Sequence, residues 1–545
     1  MAKKKKSPAE AEKKQAFQFF RKNDLAKAKA LYATIFKRYP EDFDACFMLG
    51  MIALRTEDAG RAVGLLTRAI EVKRNAPAGY YQLGIAHQKK GDLEAAIAAF
   101  QEAARLKPDY LEVCEALTIA LEHAGRYQEL VDACRQVIDA GVLSVEIHSR
   151  LAGALERLNQ LEDARAVAEQ ALSQAPGHAR VQLTLAKIDR RQGSLKQARD
   201  RLMTVLGGQL SPVQYSAVAG ELGDVLDGLG NYAEAFDAYQ RGNQALLRTV
   251  PPHLLQHNPV LDKIRRYRGY FTAQTVSGWT ADEPADNMDS PLFLVGFPRS
   301  GTTLTEQILT ATDVVQPSDE QAIITKLVSE LPGLLGPAFS FPEGLRDLSA
   351  EILSRLRARY WGLVHGMCGD ITPGKRFLDK LPLNIIELGL IFRLFPRSPV
   401  LLVLRDPRDC CLSCFMKQFI LNEAMVNFTT VQQTSRFYAA VMGLWLHYRE
   451  NLPLKYTEIR YEDLVRDLEG SSRVLLEFFG LDWNAGVLRY FDKVGERNVT
   501  TPSYSAIASP IYSRAVGRWK NYRQQLVPMM ADLAPYIEAF GYETY

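Results

Sequence analysis

A 34-residue period runs through the first half of this chain and limits that half to stacked helix pairs. Ala28, Ala62 and Ala96 lie 34 residues apart, Leu130, Ala164 and Ala198 continue the spacing, and Ala235 follows after 37. A small side chain recurring at one position lets two helices approach closely. Pro40, Pro108 and Pro176 each fall 12 residues after a repeat alanine, where proline closes the second helix of a pair. Gly50, Gly84 and Gly223 occupy the matching site in the first helix. One such pair cannot bury its own apolar face, so the units must stack. The pattern predicts a right-handed α-solenoid of about seven units over residues 1–248. The block 110–143 is degenerate, with Thr118 and Leu130 at the small positions.

The segment YYQLGIAHQKKGDLEAAIAAFQEAARLKPD resembles the tetratricopeptide consensus. Its concave groove can be a bare scaffold or a site for a peptide or protein, and both readings stand. Residues 249–290 carry no repeat. With Pro251, Pro252, Pro259 and the stretch TADEPADNMDS, they read as a capping helix at 253–270 and a polar linker.

A different grammar begins at 291. In PLFLVGFPRSGTT (291–303), an apolar run turns at Gly296, breaks at Gly301 and enters a helix pattern at Thr302. Strand, glycine loop and helix start form an anion cradle, since the loop N–H groups and the positive helix end face the same point. A Walker A loop would place lysine after the second glycine. Thr302 stands there instead, and the cation is Arg299, inside the loop. Glycines at this spacing also make plain tight turns.

A second apolar run, PVLLVL (399–404), leads into Arg405, Asp406, Pro407 and Arg408, then a helix pattern carrying Ser413. An arginine at a strand's C-terminal end can grip a phosphate bidentately, and a serine hydroxyl adds a donor. Alone, R-D-P-R-D is also an ordinary helix start.

Together these motifs resemble the sulfotransferase family that uses 3′-phosphoadenosine-5′-phosphosulfate (PAPS) as donor. The likeness continues through Phe377-Leu378-Asp379-Lys380-Leu381-Pro382, Arg460-Tyr461-Glu462-Asp463-Leu464 and Tyr512-Ser513-Arg514-Ala515-Val516-Gly517-Arg518-Trp519, covering roughly 290–530. The nearest branch is similar to tetratricopeptide-linked bacterial enzymes and to tyrosylprotein sulfotransferases. The resemblance implies a P-loop-like α/β domain over 291–545 with a central parallel sheet. It places the 5′-phosphosulfate on Arg299, Ser300, Gly301, Thr302 and Thr303. It places the 3′-phosphate on Arg405 and Ser413, with Tyr461 and Arg514 assisting the nucleotide. The implied activity needs no metal. Its acceptor is a hydroxyl, with a protein or peptide tyrosine held by the repeat groove as the leading candidate.

Sulfuryl transfer, like phosphoryl transfer, rests on positioning, charge stabilisation and a base. Arg299 and Lys380 are the cations for the sulfonate and leaving oxygen, although Asp379 and Lys380 also read as a surface ion pair. For the base, the resemblance points to Glu320 in Gln316-Pro317-Ser318-Asp319-Glu320. This segment lacks the branch's usual glycine-rich approach, and Glu320 also reads as a first-turn helix acid behind a Ser318 N-cap. His365 reads as structural. Two other classes remain open: a non-catalytic interaction scaffold, and a P-loop phosphotransferase using Asp406 for magnesium. Glycans and small molecules remain possible acceptors.

Composition narrows the setting. A net charge of +3 on 545 residues asks for no nucleic acid. No apolar run reaches membrane-spanning length. The start MAKKKKSPAEAEKK has a basic run without an apolar core and reads as a solvated tail. Seven cysteines predict reduced thiols in a cytoplasmic setting. Cys411 and Cys414 lack a second ligand pair for zinc and read as packing residues. The coarse order is strands at 291–296, 376–379, 399–404 and 454–460, with long helices at 346–366 and 430–450.

Overall fold

The 34-residue period becomes helix pairs with a repeated chemistry at their starts. The computed structural model describes residues 10–279, 286–496 and 515–544. It divides the chain into two compact units, residues 1–188 and 189–545. In the first unit, second helices start behind Asp24, Asp58 and Asp92. Their carboxylates accept the N–H groups of Lys27, Arg61 and Ala95 at 3.2, 3.0 and 3.2 Å. Each satisfies an orphan donor and faces the positive helix end. At the next two such positions, Arg126 and Gln160 make no side-chain cap.

Ala28, Ala62, Ala96 and Ala164 are fully buried. Gly84 shows why the first helix needs glycine: a Cβ there would stand 2.4 Å from the Phe100 ring. The degenerate block still forms its pair, Leu111–His123 and Tyr127–Asp139, with Thr118 and Leu130 buried. The Thr118 hydroxyl donates to the Glu115 carbonyl at 3.0 Å, so its burial leaves no unmet polar group.

The second unit opens with helices Leu195–Leu206, Pro212–Gly228 and Tyr232–Leu247. The division between the compact units thus falls inside the repeat array, whose helices continue to residue 247. Asn243 Nδ2 donates to the Phe415 carbonyl at 3.0 Å. Lys417 pairs with Asp224 at 3.0 Å, and Arg518 with Asp227 at 3.0 Å. The expected helix at 253–270 is two helices, Pro252–Gln256 and Pro259–Tyr270, each with proline in its first turn.

A sheet follows: β1 (Leu292–Gly296), β2 (Val315–Pro317), β3 (Arg376–Lys380), β4 (Val400–Leu404) and β5 (Tyr456–Arg460). The order is β2-β3-β1-β4-β5, with every neighbouring pair parallel. β1 and β4 are buried at every position, as apolar runs covered on both faces should be. β2 is not among the strands expected from sequence. Its three residues end in Pro317, which the sheet tolerates because β2 is an edge strand. The helices Ala350–Cys368 and Val431–Asn451 match the two long periodic segments. Among the described residues, no helix is long and apolar enough to cross a membrane.

Candidate active site

β1 has β3 on one side and β4 on the other. Chain direction therefore diverges at β1, and the strands' C-terminal ends open a crevice there. A cavity of about 600 Å³ occupies it. Arg299, Gly301, Thr302, Thr303, Glu320, Arg405 and Tyr461 line this cavity. Among the described lining residues, Ser300, Lys380 and Ser413 do not appear. Arg514 lies outside the described residues.

The loop after β1 is held in a left-handed conformation, Arg299 at φ 70° and Gly301 at φ 111°. At Gly301 only glycine fits, because a Cβ would stand 2.6 Å from Tyr461 Cδ2. The helix Thr302–Thr310 starts with no side-chain cap and lines the cavity with Thr302, Thr303 and Leu304, an arrangement that suits an anion. The helix Pro407–Met416 supports the loop from below. Cys410 and Cys414 each donate their Sγ hydrogen to the Pro298 carbonyl at 3.2 Å. Burial pushes the Cys410 thiol up to about 12, which keeps it a donor. Among the described residues, no group of side chains could hold a metal ion.

Arg405 follows β4 directly. Its Nη1 donates to the Arg299 carbonyl at 3.0 Å and its Nη2 to the Ala515 carbonyl at 2.5 Å. Its guanidinium lies 5.0 Å from the Tyr461 ring centroid. Among the described residues, its Nε and the Ser300 hydroxyl are buried without a hydrogen-bond partner. Ser413 accepts from Arg299 Nε at 3.1 Å, so Arg299 joins the two sequence motifs. Asp406 caps its helix and takes Arg408 in a two-point grip, at 2.9 and 2.7 Å. That carboxylate is engaged and buried, not presented to the crevice as a phosphotransferase would need.

Lys380 closes β3 and is fully buried. The surface ion pair with Asp379 does not exist. On β3, successive side chains point to opposite faces. Asp379 accepts from Tyr360 Oη at 2.9 Å and Asn384 Nδ2 at 3.1 Å, while Lys380 meets Glu320 at 2.6 Å and Glu306 at 3.1 Å. Burial alone would pull the Lys380 ammonium down. The two carboxylates outweigh it and hold it above its ordinary value. Burial pushes Glu306 up to about 7, with Lys380 opposing and Asp319 and Glu320 adding to the rise.

Glu320 is not a first-turn helix acid. The helix begins at Ile323, and Ser318 does not cap it. The Ser318 hydroxyl instead accepts from the Lys380 N–H at 2.9 Å. Asp319 and Glu320 both adopt left-handed backbone, φ 50° and 60°. Two consecutive non-glycine residues there are strained, a mark of functional loops. His365 is exposed and bonds the Trp361 carbonyl of its own helix at 2.6 Å. Beyond the cradle the cavity turns apolar, walled by Leu383, Ile386, Phe419 and Met425, with Lys263 and Glu387 paired at 2.6 Å at its edge.

Sequence reasoning missed Glu306. Its only signal was an acid in a helix whose every residue proves buried, one turn past the glycine loop.

Residues 291–485 match the family model described as "Sulfotransferase family". Residues 15–80, 77–110 and 157–209 match tetratricopeptide repeat models. An uncharacterized protein of Aquifex aeolicus is 26% identical over 437 residues, covering 78% of this chain and 55% of that protein. A protein-tyrosine sulfotransferase of Drosophila melanogaster is 26% identical over 278 residues, covering 48% of this chain and 53% of that protein. The matches thus span about half the length of these two relatives. A tetratricopeptide repeat protein from Parabacteroides merdae superposes with a TM-score of 0.35 at 13% identity, covering 43% of this chain and 92% of that one.

Proposed function

We propose that this chain, a sulfotransferase-family domain joined to tetratricopeptide repeats, transfers a sulfonate group from PAPS to an acceptor hydroxyl. The leading acceptor is a tyrosine in a protein or peptide recruited by the repeats. The observation that carries the reading is the Lys380–Glu320 pair at 2.6 Å, with Glu320 on the wall of the same cavity as the glycine loop. In this reading the lysine is the cation for the leaving oxygen and the glutamate the carboxylate for the acceptor proton.

PAPS supplies a sulfonate already activated on a 5′-phosphate. The loop N–H groups, Ser300 and the Thr302 and Thr303 hydroxyls hold the 5′-phosphosulfate end. Arg405, with Ser413, holds the 3′-phosphate, and Tyr461 assists the nucleotide. Arg405 Nε and the Ser300 hydroxyl, buried with no partner among the described residues, fit an anion, since such groups otherwise carry a desolvation cost. Arg514 belongs to the same nucleotide set by resemblance. Glu320 removes the proton from the attacking hydroxyl, and turning toward the acceptor uncovers Lys380 for the leaving oxygen. Arg299 places charge on the sulfonate. The apolar wall of Leu383, Phe419 and Met425 suits an aromatic acceptor ring. The free cysteines support a cytoplasmic setting.

Calorimetry tests the donor half. The desulfated 3′,5′-bisphosphate nucleotide should bind without magnesium. Binding of ATP–magnesium in its place would refute the reading.

A further inference from the structure

Lys380 stands between two carboxylates of different kinds. Glu320, with its side chain 32% exposed, faces the cavity; Glu306, 4% exposed, lies on the buried side with Oε2 3.1 Å from Nζ. Among the described residues, Glu306 Oε1 is buried without a hydrogen-bond partner, and the Lys380 ammonium is the charged group within bonding distance of this carboxylate. Burying a carboxylate this way is costly. Packing alone would be served by glutamine or leucine at this point in an otherwise buried helix.

We propose that Glu306 is a positioning residue: the fixed counter-ion that keeps Lys380 charged and in place while Glu320 changes its protonation. The inference rests on the sulfonate-transfer reading. In that reaction the acceptor O–H bond breaks and its proton passes to Glu320, while the acceptor oxygen bonds to sulfur. The electron pair of the S–O bond stays on the leaving 5′-phosphate. Glu320 is then neutral and no longer balances Lys380. Glu306 still does, so the ammonium retains its three protons and can face the leaving oxygen. The ionisable groups around Nζ are Glu306 from the helix Thr302–Thr310 and Glu320 from the loop after β2. Asp319 acts on Glu306 from the same loop. Asp379 faces the opposite side of β3, where Tyr360 and Asn384 hold it.

The test uses the full chain with Glu306→Gln, Lys380→Met and the double variant. Labelled PAPS and a tyrosine peptide library serve as substrates. Glu306→Gln should lower kcat roughly tenfold to a hundredfold with KM for PAPS within about twofold. It should also move the basic limb of the kcat–pH profile to lower pH, because one of two charges holding the Lys380 proton is gone. In the double variant, losing Glu306 should add nothing to the loss from Lys380→Met. An unchanged kcat and basic limb, or multiplicative losses, would overturn the proposal. Thermal unfolding at pH 8.5 gives a second, activity-free readout. Lys380→Met strands the Glu306 carboxylate and should lower Tm, and adding Glu306→Gln should restore at least half of the loss. Additive shifts would refute the pairing. A wild-type protein that transfers no label would sink the sulfonate-transfer reading and the positioning role together. The stability cycle judges the pairing by itself.

Discussion

Glu320→Gly should leave the second unit nearly as stable as before while nearly abolishing turnover. The structure supplies the terms. Glu320 sits at φ 60°, a conformation costing a non-glycine residue about 1–2 kcal/mol. Glycine removes that strain. Against it stand glycine's greater freedom in the unfolded chain, about 0.5–1 kcal/mol, and loss of the hydrogen bond to the buried Lys380, about 0.5–1.5 kcal/mol. Lys380 keeps its contact with Glu306 at 3.1 Å, so no buried charge is left unpaired. The balance falls within about 1 kcal/mol of zero, a Tm shift of about 2–4 °C or less for a unit this large. Turnover loses its base, roughly a 10²- to 10⁴-fold fall. Thermal unfolding and label transfer on the same preparation measure both. A stability loss above about 3 kcal/mol would make Glu320 a structural residue. Near-normal turnover would move the base elsewhere.

Arg405→Ala should weaken the 3′-phosphorylated nucleotide by about 2–3 kcal/mol more than its 3′-dephosphorylated analogue; equal losses in calorimetry would mean that Arg405 serves only the Arg299 and Ala515 carbonyls. Deleting residues 1–188 should preserve desulfated-nucleotide affinity and raise the apparent KM of a protein acceptor. Deleting 1–248 should lower Tm further, because it exposes the faces held by Asn243, Asp224 and Asp227; equal Tm values for the two truncations would contradict this. Burial pushes Asp379 up to about 7, against hydrogen bonds from Tyr360 and Asn384. A carboxyl raised above its unfolded value stabilises most below that unfolded value, and the contribution is lost as pH rises through the folded one. The Tm of the wild type should therefore fall between about pH 4 and 7, and Asp379→Asn should flatten that fall; identical profiles would refute the assignment.

Local pattern carried much of this structure. The repeat alanines and the apolar runs of β1 and β4 each follow from neighbours a few residues away. Long-range pairing did not show. Glu306 reads as an ordinary helix acid until Lys380, 74 residues later in sequence, is brought beside it. Ser413 follows Arg405 by eight residues in sequence, but nothing local shows that it also accepts from Arg299, 114 residues before it. The Gln-Pro-Ser-Asp-Glu segment resembled a helix start, because Ser318 suits a cap as well as it suits a β3 backbone contact. Periodicity records how helices 195–247 pair, not that Asn243 bonds Phe415, 172 residues away.

Label transfer from sulfur-labelled PAPS tests the central claim most directly. Incubated with the full chain and a tyrosine peptide library, the label should appear on peptide as a tyrosine sulfate ester, with one desulfated nucleotide released per label transferred. The Glu320→Gln variant should bind the same nucleotide and transfer roughly 10²- to 10⁴-fold more slowly. Label that stays on the nucleotide with every hydroxyl acceptor offered, peptide, glycan or small phenol, would contradict the account.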